Sequence, residues 1–251
     1  MPLWHDVADA LRHAITTGKY LPGSKIPTED ELQEQYGCSR TTIRRAVAQL
    51  TEEGLLRPVR RGGTHVREHP ARERLTLDTN VWRDELGYYF SSVTQTLRAL
   101  QPPTVTEGPC PPDLVALLGL QAGAPVVIRD RVMGNPDTGQ AVQLATSYLP
   151  ADLAAGTILA EADTGPGGIY DRMEAADLGW GRLEWAGAIS ARAATPEETR
   201  LLGLAPGVPV LCVTRTTTAT AGPGAGRVVE VNVTRRDSSR FEVGYPIARQ
   251  E

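Results

Sequence analysis

The sequence predicts an α+β protein in two parts: a small helical unit closed by a β-hairpin, and a larger region built on a mostly antiparallel sheet. Three observations predict it. Three amphipathic helical stretches and a glycine-centred hairpin follow one another within residues 4–67. A twenty-residue pattern occurs twice in the remainder, at Pro112–Arg131 and Pro196–Arg215. The charges divide at the same place. Residues 1–74 hold 12 Lys+Arg against 10 Asp+Glu, a formal +2, whereas residues 75–251 hold 14 against 20, a formal −6.

The first helix is expected over Trp4–Thr17, where Trp4, Val7, Leu11, Ala14 and Ile15 recur at helical spacing and Gly18 stops the run. Pro22-Gly23 marks a turn. Thr28 with Glu31 three residues on forms a capping box for a short second helix, with Leu32 and Tyr36 inward and Gly37 at its end. Ser39 is a good N-cap for the third helix, whose apolar face is Ile43, Ala46, Val47 and Leu50. Leu55–Val59 and Thr64–Arg67 read as two strands joined through Gly62-Gly63.

Helix, helix–turn–helix and hairpin in this order make a winged helix-turn-helix. In such a motif the third helix enters the DNA major groove with its N-terminal residues on base edges. Arginine can bind guanine with two hydrogen bonds, and threonine can contact a base or the thymine methyl. Ser39, Arg40, Thr41, Thr42, Arg44 and Arg45 are therefore the candidate residues on the helix, and Arg60, Arg61, Gly63 and Thr64 those on the wing. The alternative for the arginines is a solvated helix face facing Glu52 and Glu53.

The stretch "LPGSKIPTEDELQEQYGCSRTTIRRAVAQLTEEGLLRPVRRGGTHV" resembles the DNA-binding domain of GntR-family bacterial transcription regulators. The resemblance implies operator contacts at Arg40, Arg44 and Gly63. Two departures stand out. Asp30 occupies a position where many relatives carry a DNA-contacting arginine, and Arg61 replaces the first of two separated wing glycines, so a differently shaped wing tip is expected.

A charged stretch interrupted by Pro70 separates the parts, which gives a first domain at 1–68, a linker at 69–80 and a second domain at 81–251. The two repeat copies align without gaps and share nine of twenty residues, Leu117/Leu201, Gly119/Gly203, Gly123/Gly207 and Arg131/Arg215 among them. Each copy reads as a short helix, a glycine turn and a buried strand, followed by a Gly/Pro turn and a second strand. Two related halves around one sheet leave a central crevice. Arg129 and Arg131 alternate along one strand and so share a face, making a candidate anion clamp. The "GPGG" loop ending at Gly168 precedes a predicted helix N-terminus, a place where backbone N–H groups favour an anion. Tyr170 lies just beyond it, and Ser147, Glu230, Arg235 and Asp237 are polar candidates on the partner strands. The competing expectation pairs Arg129 and Arg131 with Asp130, Glu230 or Asp237. Tyr88, Tyr89 and Phe90 read as core.

Composition removes several functions. All four histidines and both lysines lie in residues 1–74, so the second part can form no His-based triad, His-ligated metal site or lysine Schiff base. Three widely spaced cysteines (Cys38, Cys110 and Cys212) fit a reducing cytoplasm better than a disulfide framework. No apolar run approaches the ~18 residues of a membrane span, and the N-terminus has no apolar h-region. No cofactor, metal or membrane partner is expected.

The motifs "VIRDRVM", "LATSYLP", "LGLAPGVPVLCVTRT" and "VVEVNVTRRDSSRFEV" resemble, in order, the UTRA effector-binding domain of the HutC subfamily. That resemblance implies a chorismate-lyase-like α/β fold and a small-molecule effector held at Arg129, Arg131, Ser147, Gly168 and Glu230. Sugar-phosphate-responsive relatives carry a glutamate and loop serines where this chain has Ala145 and Gly167-Gly168. Those differences argue against a sugar phosphate and leave another anion open. The resemblances together imply a cytoplasmic homodimeric repressor that binds a palindromic operator and is released by an effector. The runner-up is a DNA-binding protein whose second domain only dimerises. A lyase-like fold also raises an enzyme reading, against which the missing histidine and lysine weigh.

Overall fold

The computed structural model describes residues 3–68, 73–76, 82–83, 89–90, 97–165 and 167–244. The expected linker, 69–80, falls outside them except for Glu73–Thr76, as do the side chains of Tyr88, Tyr89 and Phe90. The chain divides into two compact units, one centred on residues 1–73 and the other on residues 74–203 and 210–251.

The first unit comprises α1 (Trp4–Thr16), α2 (Glu29–Tyr36), α3 (Arg40–Glu52) and the antiparallel hairpin β1 (Leu56–Val59) with β2 (Gly63–Val66). Its core is the apolar stripes of the three helices: Val7, Ala8 and Leu11, then Leu32, then Ile43, Ala46 and Leu50, closed by Leu56 and Val66. Local chemistry sets the boundaries. Thr28 Oγ1 accepts from the Glu31 amide while Glu31 returns a carboxylate oxygen to the Thr28 amide at 2.6 Å, which completes the capping box. Gly37 ends α2 at φ +61°, a conformation other residues reach only with strain. Ser39 Oγ then caps α3 by accepting from the Thr42 amide at 3.2 Å.

The second unit runs β3 (Glu73–Thr76), β4 (Trp82–Arg83), β5 (Tyr89–Phe90), β6 (Arg98–Ala99), β7 (Thr104–Pro109), α4 (Val115–Leu118), β8 (Pro125–Asn135), β9 (Gln140–Pro150), α5 (Ala151–Ala154), α6 (Ile169–Glu174), β10 (Leu183–Arg192), α7 (Pro196–Leu202), β11 (Val210–Ala219), β12 (Val228–Asp237) and β13 (Phe241–Gly244). Seven strands form the main sheet in the order β10-β11-β12-β9-β8-β6, with β7 also on β8, and every described pairing in it is antiparallel. The fold is α+β, as expected. Part of the expected linker is a strand, because β3 pairs with β13.

The repeat is structural. α4 and α7 each end at a glycine with φ +63° (Gly119 and Gly203), and each leads into a long strand, β8 or β11. The following strands, β9 and β12, pair with each other at the centre of the sheet. One face is covered by a cluster that includes Leu153, Leu159, Ile169, Met173 and Trp180. On the other, the α4 residues Val115 and Leu118 pack with Val126, Ile128, Val231 and Val233.

Candidate DNA-binding surface and the arginine cluster of the sheet

In the first unit, Arg40, Thr41, Arg44 and Arg45 are exposed on α3. Arg40 Nε donates to Glu29 at 2.6 Å and Arg44 Nε to the same carboxylate at 3.0 Å. Hydrogen bonds from Arg44 and then Arg40 hold the Glu29 carboxyl below its ordinary range. The expected partners, Glu52 and Glu53, are not the ones used: Glu53 pairs with Arg12 of α1 at 2.8 Å. Arg45 sits on a different flank, its guanidinium 4.6 Å from the Trp4 ring centre. Ser39 and Thr42 bond each other through their hydroxyls at 2.9 Å, so both are engaged in starting the helix.

The wing turn comprises Arg60, Arg61 and Gly62, one residue earlier than the Gly62-Gly63 pair suggests. Among the described residues, Arg61 is the one non-glycine with positive φ, at +61°. It takes the left-handed conformation that a glycine would supply, so the tip keeps its turn, and the strain of order 1 kcal/mol is carried by an arginine. Gly63 has φ +88°, and a Cβ there would run into the Lys25 side chain. Lys25 and the loop before α2 lie along β2: Ile26 N–H donates to the Thr64 carbonyl at 2.9 Å, and Val66 N–H to Ser24 at 2.9 Å.

In the second unit, residues opposite one another on antiparallel strands share a face. Arg129, Ser147, Asn232 and Arg215 form one such row across β8, β9, β12 and β11. Glu230, Thr217 and Trp185 form the next row on that face. Ser147, Thr217 and Glu230 are fully buried, and Asn232 nearly so. Arg131 donates to Ser147 Oγ at 2.7 Å and Asn232 Nδ2 to the same oxygen at 2.9 Å. Tyr170 of α6 donates to Glu230 Oε2 at 2.7 Å and accepts from Arg215 at 2.7 Å, and Thr217 also donates to Glu230 Oε2 at 2.7 Å. Burial raises the Tyr170 hydroxyl well above its ordinary range, so it remains a donor. Trp185 stands edge-on to Tyr170 with ring centres 5.7 Å apart.

Part of the sequence-derived site lies together in this arrangement, and the rest is engaged elsewhere. Arg131, Ser147, Tyr170 and Glu230 converge. Arg129 shares their face, but its guanidinium donates to the backbone carbonyls of Leu159 (2.8 Å), Glu161 and Ala162 (3.4 Å). It pairs with none of the three expected acids. Burial, then the neighbouring Arg131 charge, lowers its pKa. Gly168 is not a free anion donor, because its N–H is bound to Asp171 Oδ2 at 2.8 Å. Arg235 belongs to the opposite face, where it donates to Thr146, which in turn donates to Asp130 at 2.6 Å, and approaches Glu198 of α7 at 3.8 Å. Asp237 accepts from the Ser239 amide and hydroxyl at 2.8 and 2.6 Å and serves the turn into β13. Strand alternation explains Arg235, since an odd-numbered residue on β12 cannot share a face with Glu230 and Asn232. The sequence-derived site lacks three residues that the structure brings in: Arg215, Asn232 and Thr217. For Arg215 the sequence does hold a signal, because the repeat aligns it with Arg131.

The model of the gntR family of bacterial regulatory proteins matches residues 3–66, and that of the UTRA domain matches residues 103–242, more than half the chain. An HTH-type transcriptional regulator of Streptomyces coelicolor, SCO4628, is 31% identical over 97% of this chain and 92% of its own length. The histidine utilization repressor of Pseudomonas putida is 28% identical over 96% and 92%. A crystal structure of a GntR-family transcriptional regulator superposes with a TM-score of 0.68 at 26% identity, covering 100% of this chain and 99% of that one. The winged helix-turn-helix, its arginine-bearing third helix and the sheet domain that follows in the chain define a DNA-binding transcriptional regulator. The chain belongs to the GntR family of bacterial regulatory proteins and carries a UTRA domain. Among the described residues, no helix is long and apolar enough to cross a membrane.

Proposed function

We propose that the protein is a cytoplasmic, homodimeric repressor that binds a palindromic operator and is released when a small effector binds the second unit. The domain boundaries proposed for this reading are 1–68 and 81–251. The observation that carries it is the exposed Arg40/Arg44 pair on α3, held by one surface carboxylate that DNA phosphates and guanine edges can replace. The wing residues Arg60, Arg61 and Thr64 supply phosphate contacts beside it. Two-fold operators follow from dimeric helix-turn-helix proteins, and the name of the Pseudomonas relative supports repression. The effector site is the face that holds Arg131, Ser147, Tyr170, Arg215 and Glu230. Effector and operator would be coupled through their different affinities for two states of the protein, typically by ~1–3 kcal/mol.

The test is selection of random duplexes by the purified protein at two salt concentrations. The expected result is an inverted repeat of fixed spacing, lost on Arg44→Ala. Uniform, strongly salt-dependent binding with no enriched motif would overturn the proposal, since the arginines would then touch only phosphate.

A further inference from the structure

We infer that β10 pairs antiparallel with β10 of a second copy of the chain, about a two-fold axis at Ala188, so that two main sheets join into one. The inference rests on the homodimeric reading above and names the surface that makes the dimer.

The two edges of the main sheet differ. One edge is formed by β6, two residues long, and by β7, which follows Pro102-Pro103 and ends on Pro109. Short strands and prolines are the usual guards of a sheet edge. β10 has neither. It is ten residues long, contains no proline, and stays in register with β11 at every residue. Among the described residues, no strand pairs with its other side. In an antiparallel pair, alternate residues turn their N–H and C=O groups away from the partner, so half of the β10 backbone groups point to that side. Ala186–Arg192 is exposed on both faces, Ile189 included at 38%. A long, regular, largely uncharged edge is a template for another strand.

The charges identify the occupant. Glu184 and Arg192 frame seven uncharged residues, Trp185–Ala191, and both lie on the same face of the strand. Antiparallel pairing centred on Ala188 sets Glu184 of each copy opposite Arg192 of the other, twice over. Moving the axis to Gly187 or Ile189 loses both pairs. Arg192 is bound to Glu198 at 2.7 Å yet remains 46% exposed, which leaves it accessible to a second carboxylate. In the same register Gly187 opposes Ile189 of the other copy. Gly187 continues the row of Arg129, Ser147, Asn232 and Arg215, and a Cβ there would meet nothing nearer than the Thr214 carbonyl at 3.7 Å. The second copy's Ile189 thus extends that row beyond Arg215. Because the opposite edge of the sheet is guarded, each copy offers one edge, and the assembly closes at two.

Light scattering and sedimentation of the full-length protein test this. The wild type is expected to be a dimer. The proposed register places residue 186 of one copy opposite residue 190 of the other. Ala186→Asp with Ser190→Asp therefore sets like charges face to face at two places and should weaken self-association by roughly tenfold or more. Ala186→Asp with Ser190→Lys changes the same exposed positions but sets opposite charges face to face, and should restore the dimer. Ala188→Cys, a small change at the axis, gives a second measurement. In a Cys38→Ser background, with Cys110 and Cys212 buried, it should link two copies on oxidation, whereas Ser190→Cys should not. A dimer that survives the two aspartates, a lysine variant as dissociated as the aspartate one, or equal linking at 188 and 190 overturns the inference while leaving the dimeric reading in place. A monomeric wild type overturns both.

Discussion

Arginine does two different jobs in the two units, and burial decides which. On α3, Arg40 and Arg44 are more than half exposed and lean on one surface carboxylate. Such pairs form and break with little change in free energy, so the guanidinium groups stay exchangeable. On the sheet, Arg129 is 3% exposed and divides its donors among three backbone carbonyls. A charge in that position cannot be released without leaving those carbonyls unmet, so Arg129 belongs to the scaffold. Arg131 and Arg215 lie between these extremes, half-buried and half-satisfied, which is the condition expected of ligand-binding groups.

The largest effect should come from breaking the scaffold end of this series. Arg129→Leu removes the donor from the carbonyls of Leu159, Glu161 and Ala162 and is expected to lower stability by about 3–5 kcal/mol. Urea unfolding monitored by tryptophan fluorescence would measure it. Arg44→Ala should change stability by no more than about 0.5 kcal/mol. Similar losses from both would erase the distinction.

The carboxylates allow the same comparison. Glu198 of α7 is buried and accepts from Arg192 at 2.7 Å through both oxygens. That bonding, with the Thr195 amide, lowers its pKa from 4.5 to about 2 against the cost of burial. The folded-state value lies below the unfolded one, so the contribution is complete above pH 4.5 and disappears as pH falls toward 2. Glu198→Gln should lose about 2 kcal/mol at neutral pH. It should also flatten the acid limb of the stability curve, and a limb of unchanged steepness would assign the acid sensitivity elsewhere.

For DNA binding the ranking of the arginines reverses. Arg44→Ala should weaken the selected operator by about 1–3 kcal/mol and relax the preference at one base position. Arg45→Ala should do less, because Arg45 lies against Trp4. Fluorescence anisotropy on the operator and on single-base variants would separate the two.

What the sequence reveals and what it hides follow one physical line. In the first unit, α2 and α3 are legible because each carries its own punctuation: the Thr28 capping box and Gly37 for α2, and Ser39 for α3. The repeat locates β8, β9, β11 and β12 because buried strands with glycine turns leave an apolar signature. β10 leaves none. Apart from Ile189, its "AGAISA" core is alanine, glycine and serine, poor strand formers, and most of it is exposed at the sheet edge. In the candidate site, residues are legible where strand alternation can be followed, as for Arg129 with Arg131. They are not where a contact depends on a distant loop. Nothing near Arg129 in the sequence indicates that residues 159–162 will supply its acceptors, and Glu29 lies eleven and fifteen residues from the arginines it holds.

Glu29 provides the smallest and most discriminating prediction. It pairs with the same arginines that are proposed to bind DNA. Two roles are open to such a carboxylate. It can compete with phosphate for Arg40 and Arg44, or it can fix both guanidinium groups in the geometry that reads bases. The exposure of both arginines and the partial exposure of Glu29 favour competition, since a weak surface pair imposes little geometry. Glu29→Gln should therefore tighten binding to every duplex by roughly twofold to fivefold, operator and random sequence alike. Selectivity between them should stay the same. Loss of affinity for the operator alone would show instead that the carboxylate orients the reading arginines. Arg40 and Arg44 would then be held in place by Glu29 much as Arg129 is held by its carbonyls, and exposure would no longer separate the two kinds of arginine.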